Sequence, residues 1–286
     1  MAALLEQPAL LLLIVTLLGL VVGSFLNVVI HRLPIMMEQN WRRECCEFLD
    51  QPAADDSPIS LAIPNSQCPH CKTPIRAWQN IPVLSYLLLR GRCANCQATI
   101  SLRYPIVEII SGALALAAGL QFGFDSAQIL GALIMIWCLI TLTGIDIDTQ
   151  LLPDSITLPL LWLGLLFNLN GVFTDIQSAV VGAVAGYLTL WTVYWAFKLL
   201  TGKEGMGYGD FKLLAALGAW FGWQSLPRII LLSSFVGAFI GILLIAAKRQ
   251  GREVPMPFGP YLAGAGLLCL FFGDTLINQY FNMVGM

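Results

Sequence analysis

Between Ala9 and Ile30 the chain carries no charged side chain. That is the length of apolar sequence, about 20 residues, that one helix needs to cross a bilayer. The pattern returns after residue 103, where apolar runs at 104–121, 126–144, 155–172, 176–198, 211–223, 227–247 and 257–278 alternate with short polar breaks. Only 11% of the 286 residues are charged and 57% are hydrophobic, whereas a soluble domain carries about 25% charge. The expected fold is therefore an all-α polytopic membrane protein of about eight transmembrane helices. The run at 211–223 is short for a span and reads as tilted, re-entrant or half-length. The first run lacks a basic start and a small-residue cleavage pattern, so it reads as a retained helix and not a signal peptide. A net charge of -2 with no basic tract speaks against a nucleic-acid partner.

One long polar segment, 31–103, interrupts the pattern between helices 1 and 2. It holds eight of the fifteen Lys and Arg residues, both histidines and six of the eight cysteines. The expected organisation is a first transmembrane helix (1–30), a zinc-binding insertion (31–103) and a helical membrane domain (104–286). With eight spans, one side receives Arg32, Arg42, Arg43, Lys72, Arg76, Arg90, Arg92, Arg103, Lys198, Lys203, Lys212, Lys248, Arg249 and Arg252, and the other only Arg228. The positive-inside rule then puts the insertion in the cytoplasm.

Within the insertion, Cys68-Pro69-His70-Cys71 and Cys93-Ala94-Asn95-Cys96 form two C-x-x-C knuckles 21 residues apart. Each knuckle offers two thiolates from one tight turn, and two knuckles complete a tetrahedron. A reducing cytoplasm disfavours disulfides. The reading is a structural Zn2+ on Cys68, Cys71, Cys93 and Cys96, against the alternative of reduced thiols or redox pairs. His70 reads as an exposed turn residue. Cys45, Cys46, Cys138 and Cys269 read as packing residues or idle thiols.

Two acidic clusters fall at helix ends, on the side assigned to the cytoplasm. One is Asp146-Ile147-Asp148-Thr149-Gln150-Leu151-Leu152-Pro153-Asp154, the other Gly205-Met206-Gly207-Tyr208-Gly209-Asp210-Phe211-Lys212. Carboxylates are expensive in a bilayer and by default mark function there. Glycines on alternate positions remove side-chain bulk and let a peptide backbone approach. Two carboxylates held close share a proton, one activating water while the other polarises a carbonyl. Asp210 is one member of such a pair, and the residues alone leave Asp146 and Asp148 open as the other. Asp154-Ser155 before an apolar run looks like a helix N-cap. Glu108 is either functional or snorkels to the interface, and Lys203 and Lys212 either tune the pair or anchor helix ends.

Taken together with Gly23-Ser24-Phe25-Leu26-Asn27-Val28, these motifs resemble, in order and over nearly the whole chain, the type IV prepilin peptidases. These are bacterial inner-membrane enzymes of type IV pilus and type II secretion systems. The resemblance implies a bifunctional enzyme that cuts the basic leader from prepilins and pseudopilins, then methylates the new N-terminus with S-adenosylmethionine. It implies that the catalytic aspartates are Asp146 and Asp210, facing the cytoplasm, and that the tetracysteine motif is Cys68, Cys71, Cys93 and Cys96. No glycine-rich fingerprint follows a strand, so no residues are assigned to the methyl donor. Two rival readings differ in what they need. A different GxGD-type intramembrane aspartyl protease acting on signal peptides would not need the zinc insertion. A non-enzymatic proton-coupled transporter would place its acids near mid-helix in a repeated pattern, which is not seen.

Overall fold

The structure is a computed structural model that describes residues 8–52, 59–123, 125–246 and 256–284. Lys248, Arg249 and Arg252, counted above for orientation, lie outside the described residues. The chain divides into two compact units, one ending at Gly123 and one beginning after it.

In the first unit, helix α1 (Pro8–Phe48) runs on through Pro34 for 41 residues. The expected apolar helix thus ends well inside the polar segment, because the sequence from Met36 onward keeps helix-forming Met, Glu, Gln and Arg residues. The short α2 (Leu84–Leu88) follows the first knuckle, and α3 (Arg103–Phe122) returns along α1. Small residues set that pairing. A Cβ added at Gly19 would lie 2.5 Å from the Ala115 Cβ, and one at Gly23 would lie 2.8 Å from the Ser111 Cβ. Backbones that close exchange polar contacts, as membrane helices with small-residue seams do. Ser111 Oγ donates to the Gly19 carbonyl at 2.6 Å, and Asn27 Nδ2 donates to the Gly23 and Tyr104 carbonyls at 3.2 Å each. The Gly23–Asn27 motif is therefore a helix-packing device.

The second unit contains α4 (Ser126–Thr149), α5 (Asp154–Asn168), α6 (Ile176–Thr201), α7 (Tyr208–Phe221), α8 (Leu226–Ala246) and α9 (Gly259–Val284). Asp125 caps α4, accepting from Ala127 and Gln128 N–H groups, and Asp175 caps α6 through Ser178 N–H at 2.8 Å. Each such cap contributes about 1 kcal/mol. The hub is α7, in which Asp210, Phe211 and Leu213 through Trp220 are all buried. Gly182 of α6 meets Gly218 of α7 backbone to backbone. Trp220 fills the space left by Gly131 and Gly164 and donates Nε1–H to the Leu160 carbonyl at 2.8 Å. Asn168 closes the far end of α7: its Nδ2 donates to the Ala219 and Trp220 carbonyls, and its Oδ1 accepts from Phe173 and Thr174 N–H groups.

The chain is all-α and polytopic. Five helices among the described residues are long and apolar enough to cross a membrane: α1, α3, α4, α6 and the segment Trp223–Leu243. The expected run at 155–172 corresponds to an apolar helix of only 15 residues, and the run at 211–223 to one of 14.

Candidate active site

The glycine-rich stretch is only partly the turn that its composition suggests. Gly207 is the N-cap and α7 starts at Tyr208, so Asp210 stands in the first helical turn. The three glycines do different things. A Cβ at Gly207 would find only the Asp210 Oδ2, 3.9 Å away, and a backbone atom at 4.0 Å, so that position is open. At Gly205 a Cβ would press on the Phe197 ring, and at Gly209 it would lie 2.6 Å from the Cβ of Leu152. Open space is thus kept at Gly207, while Gly209 is consumed by packing. Asp210 is 6% exposed, and among the described residues no hydrogen-bond partner reaches its buried Oδ1. A buried polar atom left so is a feature that native structures keep for a reason.

Asp146 lies in the last turn of α4, which continues to Thr149 and does not stop at residue 144 as the hydropathy suggests. It is 4% exposed. Its Oδ2 accepts the backbone N–H of Gly259, the first residue of α9, at 2.9 Å. Asp146 and Asp210 line one cavity of about 630 Å³, and the charge of Asp146 acts on Asp210. Gln150, Leu152 and the glycines of the loop form one side of the cavity; Met256, Phe258 and Tyr261 form an apolar wall. Asp148, two residues on from Asp146 and so on another face of α4, is exposed and is not among the lining residues.

Asp154, Lys212, Lys198 and Glu204 are paired. Asp154 is the first residue of α5, and Pro153 is its N-cap, without a side-chain cap bond. The N-cap expectation for Asp154 is thus corrected: Pro153 fixes the entry backbone, and the Asp154 carboxylate turns to Lys212, whose Nζ donates at 2.6 and 2.7 Å. Lys198 Nζ bonds Glu204 at 2.8 Å and Tyr194 Oη at 3.1 Å. That ammonium holds the Glu204 carboxyl below the usual carboxylate range, so the cavity rim keeps an ionised acid.

In the first unit, the four sulfurs of Cys68, Cys71, Cys93 and Cys96 lie within 4.8 Å of one another. The two knuckles fold alike. Lys72 and Gln97, each just after the second cysteine, take positive φ (57° and 60°), and antiparallel bridges Gln67–Pro74 and Arg92–Thr99 close the two turns. Sγ separations are 3.7 Å for Cys68–Cys96 and 4.0 Å for Cys71–Cys93. A tetrahedral ion with metal–sulfur bonds of about 2.3 Å sets its sulfurs roughly 3.8 Å apart, so the donor set fits a metal. Hydrogen bonds from Thr73, side chain and backbone, with help from Asn95, lower the Cys71 thiol to about 5. Cys96, despite the Ala98 N–H, is pushed up to about 11 by burial and by three neighbouring sulfurs. Four thiolates this close repel, and a divalent cation resolves the repulsion. His70 is exposed and outside the cluster.

Glu108 does not snorkel. It is buried in α3 and its Oε2 accepts the N–H of Val83 at 2.8 Å. Val83 has φ 59° and ψ -47°, a strained backbone for a β-branched residue, and Leu84 N–H bonds the Pro82 carbonyl across it. The carboxylate holds that turn in place.

Sequence reasoning missed Gly259 and Leu152 as parts of the site. Gly259 carried a usable signal, a glycine between Pro257-Phe258 and Pro260 at the entrance of the last apolar run.

Two family descriptions match the chain in tandem. The Bacterial Peptidase A24 N-terminal domain covers residues 17–122 and the Type IV leader peptidase family covers 133–242. A relative from Aeromonas hydrophila is 56% identical over 269 residues, covering 93% of this chain and 92% of its own. Relatives from Stutzerimonas stutzeri (55% over 264 residues; 92% and 91%) and Pseudomonas aeruginosa (51% over 281; 98% and 97%) are similar. All three are described as prepilin leader peptidase/N-methyltransferase. No solved structure matches the chain.

Proposed function

The chain belongs to the prepilin leader peptidase/N-methyltransferase family, and we propose that Asp146 and Asp210 form the pair that performs its peptidase step. It is a multi-pass bacterial inner-membrane enzyme with two activities, prepilin leader removal and N-methylation. The observation that carries the assignment of the pair is the buried Asp210 Oδ1, which has no hydrogen-bond partner among the described residues, in the cavity that Asp146 also lines.

Two neighbouring carboxylates hold one proton between them. In the proposed step the ionised one takes a proton from water as the water oxygen bonds to the scissile carbonyl carbon. The protonated one donates to the carbonyl oxygen. Collapse of the tetrahedral intermediate breaks the C–N bond, and the departing amine leaves with a proton from the pair. No covalent enzyme intermediate forms. The open position at Gly207 gives the peptide backbone room beside Asp210.

Cys68, Cys71, Cys93 and Cys96 would hold Zn2+ as a closed four-thiolate shell, which has no open position for hydrolysis and so serves the folding of segment 31–103. S-adenosylmethionine as methyl donor is supported by the family resemblance, as are pseudopilins as further substrates. The surplus of Lys and Arg on one set of loops supports a cytoplasmic active site.

The test is cleavage of a prepilin peptide by the wild type and the Asp146→Asn, Asp148→Asn and Asp210→Asn variants, read by mass spectrometry with and without S-adenosylmethionine. Cutting is expected to be lost in Asp146→Asn and Asp210→Asn and kept in Asp148→Asn, with a one-methyl mass gain only when the donor is present. A dead Asp148→Asn, or an active Asp146→Asn or Asp210→Asn, sinks the assignment.

A further inference from the structure

Residues 259–262 form the first turn of α9, where N–H groups begin without an acceptor one turn back. Pro260 has no N–H. Tyr261 and Leu262 both donate to the Phe258 carbonyl, at 3.1 and 3.2 Å. The remaining donor, Gly259, points across the fold to a residue 113 positions earlier, the Oδ2 of Asp146. A charge-assisted bond from a helix head to a carboxylate is among the stronger hydrogen bonds available to a protein. It fixes the rotation of the carboxyl group about its own axis.

Residue 259 also has no room for a side chain. A Cβ there would lie 2.6 Å from Asp146 Oδ2, 3.2 Å from its Cγ and 3.0 Å from Leu152 Cδ2. Leu152 cannot step back, because it is already packed on Gly209, next to Asp210. We propose that Gly259 is a positioning residue of the peptidase: its N–H orients the Asp146 carboxylate, and its lack of a side chain keeps that carboxylate in register with Asp210. This rests on the Asp146/Asp210 reading above.

The bifunctional enzyme supplies its own control. Full-length Gly259→Ala in detergent or lipid would be assayed for cutting of a prepilin peptide and, separately, for methylation of the same peptide already cut. A carboxylate displaced by about an ångström costs on the order of 100-fold in rate. The expected result is a loss of that size in kcat, with KM and methylation of the precut peptide within about twofold of wild type. Wild-type cutting, a change confined to KM, or a parallel fall in methylation and melting temperature overturns the proposal. A second measurement needs no change at position 259. In 15N-glycine-labelled enzyme the Gly259 amide proton should resonate downfield and shift upfield in Asp146→Asn; an identical shift in both proteins overturns the proposal. If Asp146→Asn itself still cuts, the dyad has failed, and that result is separate from the behaviour of Gly259→Ala.

Discussion

Leu152 and Gly209 touch so closely that a Cβ at position 209 would lie 2.6 Å from the Leu152 Cβ and 3.3 Å from its Cδ1. The loop between α4 and α5 thereby braces the first turn of α7. Each carboxylate of the proposed pair stands beside one of the glycines that Leu152 contacts. Gly209→Ala should displace the Asp210 turn and reduce prepilin cutting at least tenfold, since small misplacements at a reacting group carry losses on the order of 100-fold. Adding Leu152→Ala should restore part of the rate by opening space. A double variant as slow as Gly209→Ala would show that crowding is not the cause.

Asn168 satisfies four backbone groups with one side chain. Asn168→Ala strands buried carbonyls and N–H groups, each costing about 1–3 kcal/mol when unpaired. A loss of roughly 3 kcal/mol or more is expected from these unpaired groups, read by thermal or denaturant unfolding in detergent. Asn168→Asp, which keeps the acceptor and removes the donor, should also be strongly destabilising.

The Asp154–Lys212 pair is a contrasting case. The Asp154 side chain is 54% exposed and that of Lys212 27%, and pairs open to solvent contribute only about 0–1 kcal/mol. Asp154→Asn should lower stability by less than about 1 kcal/mol and leave cutting near the wild-type rate. A dead Asp154→Asn enzyme would mean that the pair acts on the site and not only on the helix ends.

Metal content should depend on pH in a definite sense. The Cys71 thiol is lowered from 9.0 to about 5, chiefly by Thr73. A depressed folded-state value gives stability that is fully present above the unfolded value and lost as pH falls through the folded one. Metal and proton compete for the same sulfurs, so zinc is expected to be bound at neutral pH and released progressively as pH falls into the acid range. Metal analysis after dialysis across that range checks this. Cys71→Ser should lose zinc at every pH, and retention of a full equivalent would exclude a four-ligand site.

Hydropathy made the helical, multi-span architecture legible, and the knuckle spacing made the cysteine cluster legible. Helix ends were less so: α4 passes through Asp146 and α7 begins before Asp210, because charge marks where hydropathy drops and not where backbone hydrogen bonding stops. Our proposal of Asp146 over Asp148 rests on the family resemblance and on the burial difference, since two residues apart on a helix the side chains point to different surroundings. The Pro-Phe-Gly-Pro pattern marks Gly259 itself, but its pairing with Asp146 was not legible. Its partner is 113 residues away, and a backbone donor leaves no mark in side-chain chemistry.

The length of α7 has one more consequence. Fourteen residues rise about 21 Å at 1.5 Å each, short of a hydrocarbon core of about 30 Å, so its two ends cannot both reach water by length alone. At one end the carbonyls of Ala219 and Trp220 are taken by Asn168, and Trp220 is wedged among Phe167, Phe173 and the glycines. The other end opens on the cavity. Asp210 thus stands at the end of a short helix that faces open space. Under the proposed assignment, water reaches the peptide bond through that cavity, at one end of a helix too short to span the hydrocarbon core.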